Sequence, residues 1–229
     1  MPTNASDRLK SVRDRLALSC QRASRPIESV NLLAVTKTRS ETEIMELYSL
    51  GLRNFGENRV AEAVKKQNSL PGDIEWHMIG HLQSNKAKEC LGFSLLHSLD
   101  KIETARSIEK AFSQAGQTLR VLLEANTGGE DAKDGVTDID GLLRLAESIA
   151  GLPHLKIQGL MTMAPFSQDE NLVRPCFSRL REWRDVLASS FPGEQWATLS
   201  MGMTNDFEWA VAEGSTLVRI GTALFEGFR

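Results

Sequence analysis

Lys37 stands where the apolar run Val30 to Val35 turns polar, followed by Thr38 and Arg39. An ammonium in that place is either a solvated strand end or a positioned amine. Two features favour the positioned amine. Arg39 is a nearby cation that would lower the lysine pKa and free the neutral amine to attack a carbonyl. Far along the chain, two loops have the composition of phosphate cradles: Leu199-Ser200-Met201-Gly202-Met203-Thr204-Asn205-Asp206 and Val218-Arg219-Ile220-Gly221-Thr222-Ala223. Gly202 and Gly221 would let backbone approach an anion, with Ser200 and Thr222 as hydroxyl donors. Free N–H groups at a strand-to-helix turn attract phosphate. The bland alternative is that these glycines only make turns and that Thr204 or Asn205 only caps a helix. Lys37 is therefore a candidate Schiff-base lysine, opposite a candidate phosphate site.

The elements that must position these residues follow one pattern. The 229 residues are 41% apolar and 25% charged, with net charge -3, which suits one soluble globular domain and argues against nucleic acid or an anionic membrane as the main partner. The opening residues lack the apolar core of a signal peptide and no run is long enough to span a bilayer, so a cytoplasmic protein is expected. Cys20, Cys90 and Cys176 are far apart and read as packed thiols. Apolar Leu9, Val12, Leu16 and Cys20 give an amphipathic leading helix within residues 1–25. Strand-helix units then recur. The strand ending at Lys37 precedes a helix capped by Ser40, and strands are expected at 52–55, 75–79, 93–97, 119–124, 157–160, 198–200 and 217–220. The helices between them are expected at 57–67, 84–91, 101–114, 139–150, 169–190 and 206–212, with a last one from Thr222. Eight units of about 29 residues each fit a compact (β/α)8 TIM barrel with an extra N-terminal helix, spanning 1–229 as one domain. A doubly wound sheet would also alternate, but no Gly-x-Gly-x-x-Gly follows the first strand.

An amine on strand one and a phosphate anchor after strands seven and eight together describe pyridoxal 5'-phosphate. The sequence resembles the pyridoxal phosphate homeostasis protein family, whose barrel is similar to the amino-terminal domain of bacterial alanine racemase. The resemblance is carried by Ala34-Val35-Thr36-Lys37, Phe55-Gly56-Glu57-Asn58-Arg59-Val60, Trp76 to Lys86, Gly159 to Pro165, Leu199 to Met203 and Val218 to Ala223. It implies that Lys37 forms the link to the cofactor aldehyde and that Asn58 lies beside the ring. It also implies that Ser200, Met201 and Gly202, with Gly221 and Thr222, cradle the phosphate. Arg219 would face the pyridine nitrogen, keep it unprotonated and so make the ring a weak electron sink. Lys133 matches a second lysine near the mouth that helps load or release cofactor, against the plainer reading of a solvated loop lysine. Glu226 stands where family members more often have a small residue.

Other signals read as structure. His77 and His81 are four apart, but Gly80 and the strand reading of 75–79 break a helical metal-ligand geometry. His97 and His154 read as isolated, solvated or satisfied. Met161, Met163, Met201 and Met203 are equally a ring lining or barrel filler. No metal is expected.

The expected function is to hold pyridoxal 5'-phosphate as a Schiff base and buffer or deliver it, without turnover and as a monomer. Apo-enzymes that use the cofactor are the partners this implies. Racemisation needs an acid or base on each face of the substrate, and in the racemase a tyrosine from another domain serves the second face. The one tyrosine here, Tyr48, is placed on the helix after strand one, near its far end. The alternatives are a pyridoxal-dependent racemase or lyase, in which a cysteine, a histidine such as His81 or a partner subunit supplies the missing group, and a cofactor-free Schiff-base aldolase.

Overall fold

The computed structural model describes residues 4–130 and 133–228. Asp131 and Ala132 of the strand-five loop, like Met1–Thr3 and Arg229, lie outside the described residues. Eight parallel strands close into a barrel in chain order: β1 (Asn31–Val35), β2 (Asn54–Glu57), β3 (Glu75–Met78), β4 (Leu95–Leu99), β5 (Leu119–Glu124), β6 (Leu155–Met161), β7 (Thr198–Ser200) and β8 (Leu217–Ile220). Closure is made where Asn31 to Ala34 pair with Leu217 to Ile220.

The helices are α1 (Ala5–Arg22) before the barrel, α2 (Glu41–Ser49), α3 (Val60–Ser69), α4 (Ile102–Ala115), α5 (Ile139–Ala150), α6 (Glu170–Ser190), α7 (Phe207–Ala212) and α8 (Thr222–Phe225). The leading helix has a clear purpose. Because α8 is only 4 residues long, it leaves the closure seam thinly covered. α1 completes the cover, its Arg8 donating to the Leu224 carbonyl at 2.8 Å and its Arg15 pairing with Glu208 at 2.9 Å.

Several boundaries shift by a few residues, as in β4 (Leu95–Leu99 where 93–97 is expected) and β6 (Leu155–Met161 where 157–160 is expected), and two differences have a clear physical reason. The segment Ser84–Gly92 is a 3-10 helix, not an α-helix, and its buried residues Ala87 and Cys90 are three apart, which is the 3-10 repeat. β2 runs to Glu57, a residue whose charge suggests a helix start. It stays in the strand because its carboxylate is fully buried against Lys66. All three cysteines are free and buried. No helix among the described residues is long and apolar enough to cross a membrane.

Period-2 alternation decides what faces the barrel lumen. On β1, Asn31, Leu32 and Leu33 border a cavity at the amino-terminal end of the strands, whereas Val35 and Lys37 border one at the carboxyl end. Leu95, Leu122 and Met161 form a small apolar plug between the two ends.

Candidate functional site

The strand-one turn sets the lysine. Arg39 N–H donates to the Thr36 carbonyl at 3.0 Å, and Thr38 sits at φ 63° with its hydroxyl donating to the Lys37 carbonyl at 2.6 Å. A β-branched residue in that region is strained by roughly 1–3 kcal/mol, a cost tolerated where the surroundings dictate the conformation. Lys37 is exposed and its ammonium has no hydrogen bond or ion pair among the described residues. The Arg39 guanidinium is committed elsewhere: it pairs with Glu226 and, at 3.4 Å, with Glu43, and it lies 5.0 Å over the Phe225 ring. Its charge is balanced locally by two carboxylates, and it braces α2 against α8 beside the cavity that Lys37 also lines. Glu226, the odd residue of the last turn, is the other half of that brace.

Lys37 opens on a cavity of about 310 Å³, within the range of small-molecule sites. Its walls include Val35, Arg219, Gly221 and Thr222, with Met203 to Asp206 from the loop after β7 and Pro165 to Ser167 from the loop after β6. The N–H groups of Thr204, Asn205, Gly221 and Thr222 have no acceptor among the described residues. Four unpaired donors on one wall suit an anion with several oxygens.

Thus Lys37, Arg219, Gly221 and Thr222 meet at one cavity, and the other predicted residues do not line it. Ser200, Met201 and Gly202 are buried and outside its lining. From the strand-seven loop, the cavity wall is made by Met203, Thr204, Asn205 and Asp206 instead. Asn58 borders an adjoining groove with Arg59, His81 and Gln83. Its backbone is pinned there by Gly80, at which an added Cβ would stand 2.2 Å from the Asn58 carbonyl oxygen. Of the methionine stripe, only Met203 reaches the cavity wall.

Arg219 is buried and clamped. Nη1 donates to the carbonyl and the hydroxyl of Ser200, both at 2.7 Å, and Nη2 donates to the Thr162 carbonyl at 2.9 Å. Burial pushes its pKa down to about 10, opposed by Asp206 and Glu124, so it remains a cation at neutral pH. This geometry answers Ser200's role: it holds the guanidinium.

The alanine racemase N-terminal domain family matches residues 8–227. A pyridoxal phosphate homeostasis protein of Aquifex aeolicus is 44% identical over 224 residues, covering 97% of each chain. The chain belongs to the pyridoxal phosphate homeostasis protein family. PipY of Synechococcus elongatus, in a structure with PLP bound, superposes with a TM-score of 0.80 at 34% identity, over 93% of this chain and 99% of that one. An alanine racemase of Clostridium difficile shares the fold alone, with a TM-score of 0.74 at 13% identity over 92% of this chain and 59% of the racemase.

Three features of this homeostasis-family barrel add to or correct the sequence reading. First, His97 is not isolated: it is buried and joined to buried His77. His97 Nδ1 lies 2.9 Å from Ser200 Oγ and His97 Nε2 lies 3.0 Å from His77 Nδ1, making a polar chain from Arg219 down through the lumen. A guanidinium only donates, so the Ser200 hydroxyl proton is free for His97 Nδ1, and His97 Nε2–H then serves His77. Burial pushes His77 down to about 4 and holds His97 well below the usual imidazole range. Both rings are neutral at pH 7.

Second, Glu57 Oε1 accepts from Lys66 Nζ at 2.5 Å and from the Thr36 hydroxyl at 2.7 Å, while Lys66 also donates to the Thr36 carbonyl at 2.9 Å. This buried knot ties the end of β1, just before Lys37, to β2 and α3. Third, Lys133 is not a solvated loop lysine. It pairs with Glu130 at 2.6 Å and donates to the Ala164 carbonyl at 3.0 Å, because the loops after β5 and β6 pack together at the mouth.

Gly202 shows how tightly the strand-seven turn is drawn in this family member. At φ 95° an added Cβ would lie 2.6 Å from the Ala210 Cβ and 2.9 Å from the Phe207 Cα, both on α7. Gly202→Ala is expected to lose about 2–4 kcal/mol of stability, from backbone strain and overpacking together. Urea denaturation reads this directly; an unchanged midpoint would mean that α7 can move aside freely.

Proposed function

We propose that this protein holds pyridoxal 5'-phosphate in the cavity beside Lys37 and buffers or delivers it, without turning over an amino acid. One observation carries the reading: an amine and four backbone donors, none with a partner among the described residues, border one space of small-molecule size. When bound, the cofactor supplies an aldehyde that condenses with a primary amine. Lys37 is the nucleophile. Thr204, Asn205, Gly221 and Thr222 receive the phosphate, supported from below by Ser200, Met201 and Gly202. Arg219, fixed by Ser200 and Thr162, donates toward the ring nitrogen and keeps it an acceptor. Asn58 flanks the ring from the neighbouring groove.

The case against turnover is that no second-face tyrosine reaches the mouth from this chain. Tyr48 is bonded to Asp73 at 2.7 Å and lies under Arg53, at the opposite end of the barrel, where β2 and β3 begin. We place this activity in the cytoplasm, where three buried free thiols are at home, and in a single chain whose partners are apo-enzymes that use the cofactor.

The purified protein should absorb as a lysine-linked pyridoxal, and borohydride should fix the adduct on Lys37. Lys37→Ala should lose the fixed adduct entirely, whereas labelling of another lysine would overturn the assignment. Transfer of cofactor to an apo-enzyme is expected, with negligible α-proton exchange into amino acids in heavy water. A racemase or lyase reading draws on Glu124 and His81 near the mouth, and rapid exchange would establish it instead.

A further inference from the structure

On the side of the mouth across the lumen from β1, three ligand-type side chains converge from three different loops. His81 follows β3, Asp100 follows β4 and Asp134 follows β5. One ligand atom from each lies within 4.8 Å of the others, the only such cluster among the described residues. They are close without being bonded. His81 Nδ1 is 3.8 Å from Asp134 Oδ2, and Lys101 Nζ is 3.8 Å from Asp100 Oδ2, both beyond hydrogen-bond reach. Donor atoms that share one cation at roughly 2.0–2.2 Å stand roughly 3–4 Å apart, a spacing the His81–Asp134 pair already has and the cluster can reach with small side-chain shifts.

A second observation points the same way. Glu124, the last residue of β5, is only 3% exposed, yet its carboxyl has no hydrogen bond or ion pair among the described residues. It faces the cluster. Leu99 pairs with Leu123, which sets Asp100 beside Glu124 at the strand ends, and Glu124 Cγ lies 3.2 Å from where a Cβ on Gly135 would stand, next to Asp134. The Glu124 oxygens have no protein donor among the described residues yet are not sealed off, so they remain open to a cation held by the cluster.

We propose that His81, Asp100 and Asp134, backed by Glu124, bind one divalent cation of the manganese or zinc class at the barrel mouth. One imidazole with two or three carboxylates is a mixed nitrogen and oxygen set, which suits these ions and not a soft metal such as copper(I). Three side chains from loops also leave coordination positions open to water. Lys101 swings away from Asp100 when the ion enters. The ion site uses none of the residues proposed to hold the cofactor, although His81 shares a groove with Asn58.

The test is manganese titration of the chelator-treated, dialysed protein, with free Mn2+ followed by its electron paramagnetic resonance signal, in cofactor-loaded and cofactor-free samples alike. One ion per chain is expected in both. His81→Ala and Asp134→Asn should each weaken binding about tenfold or more, while Glu28→Gln on the opposite surface should not. Bound Mn2+ should show coupling to a histidine nitrogen that His81→Ala removes. Circular dichroism of each variant establishes that its fold is intact. Binding confined to the cofactor-loaded sample would assign the ion to the cofactor phosphate and overturn the proposal. Absence of binding below millimolar Mn2+, or binding that His81→Ala and Asp134→Asn leave unchanged, would overturn it equally.

Discussion

Lys66→Met is expected to destabilise the barrel by about 3–5 kcal/mol, the usual cost of removing one partner from a buried ion pair. Glu57 is completely buried and Lys66 nearly so, with side-chain exposures of 0% and 11%. Without the ammonium, the Glu57 carboxylate keeps only the Thr36 hydroxyl, and its Oε2 already lacks a partner among the described residues. The doubly neutral Glu57→Gln, Lys66→Met should recover most of the loss, because the penalty lies in the orphaned charge and not in the absent bond. Urea denaturation of the two single variants and the double variant separates these terms. If the single variant Lys66→Met were no less stable than the double, the knot would be structurally idle. The consequence extends to the site. Lys66 also holds the Thr36 carbonyl, and Thr36 precedes Lys37, so the fraction of chain fixed by borohydride should fall in Lys66→Met and return with Lys66→Arg.

That knot also shows why parts of the molecule were legible in the sequence and others were not. Alternating apolar runs and helix caps are local signals, and they give the eight strand-helix units, the leading helix and the placement of Lys37 at a strand end. That Gly221 and Thr222 would stand at the barrel mouth was legible because the loop after a barrel strand is fixed by the strand's own register, whereas the place of Arg219 came only with the family resemblance. Glu57 with Lys66, and His77 with His97 and Ser200, are pairings across elements, up to 103 residues apart in sequence. Nothing in the neighbourhood of Glu57 distinguishes a buried carboxylate from the acidic first turn of a helix. The same holds for Arg39, whose nearness to Lys37 in sequence suggested activation. Its two carboxylates, one of them 187 residues distant, appear only once the barrel closes. For Ser200 the type of residue was informative but its direction was not, since alternation on a three-residue strand cannot say whether a hydroxyl meets ligand or a neighbouring arginine.

Acid should weaken this barrel through its buried imidazoles, and the sign follows from their depressed pKa values. His77 titrates at about 4 in the fold and near 6.5 in the unfolded chain. Between those values the unfolded chain takes up a proton that the fold refuses, so stability is complete above pH 6.5 and falls as pH drops toward 4. At about 1.4 kcal/mol per pH unit, His77 alone withdraws about 3 kcal/mol. His97 adds to it in the same direction, facing His77 and Arg219. Glu124 acts with the opposite sign: burial and the charges of Asp100 and Asp134 push it up to about 7, so acid relieves it. The informative quantity is therefore the difference between His77→Gln and the parent chain, measured by urea denaturation at each pH from 7 to 4. Glutamine can still bond to His97 but cannot titrate, so the difference should move in favour of the variant by about 3 kcal/mol as pH falls. Parallel curves would show that solvent reaches His77 through the cavity it shares with Glu75 and Arg120. Because protonating His97 at Nδ1 removes the acceptor for the Ser200 hydroxyl, and Ser200 is the clamp on Arg219, cofactor loss in acid should follow the same limb of the curve and be shifted to lower pH in the glutamine variant.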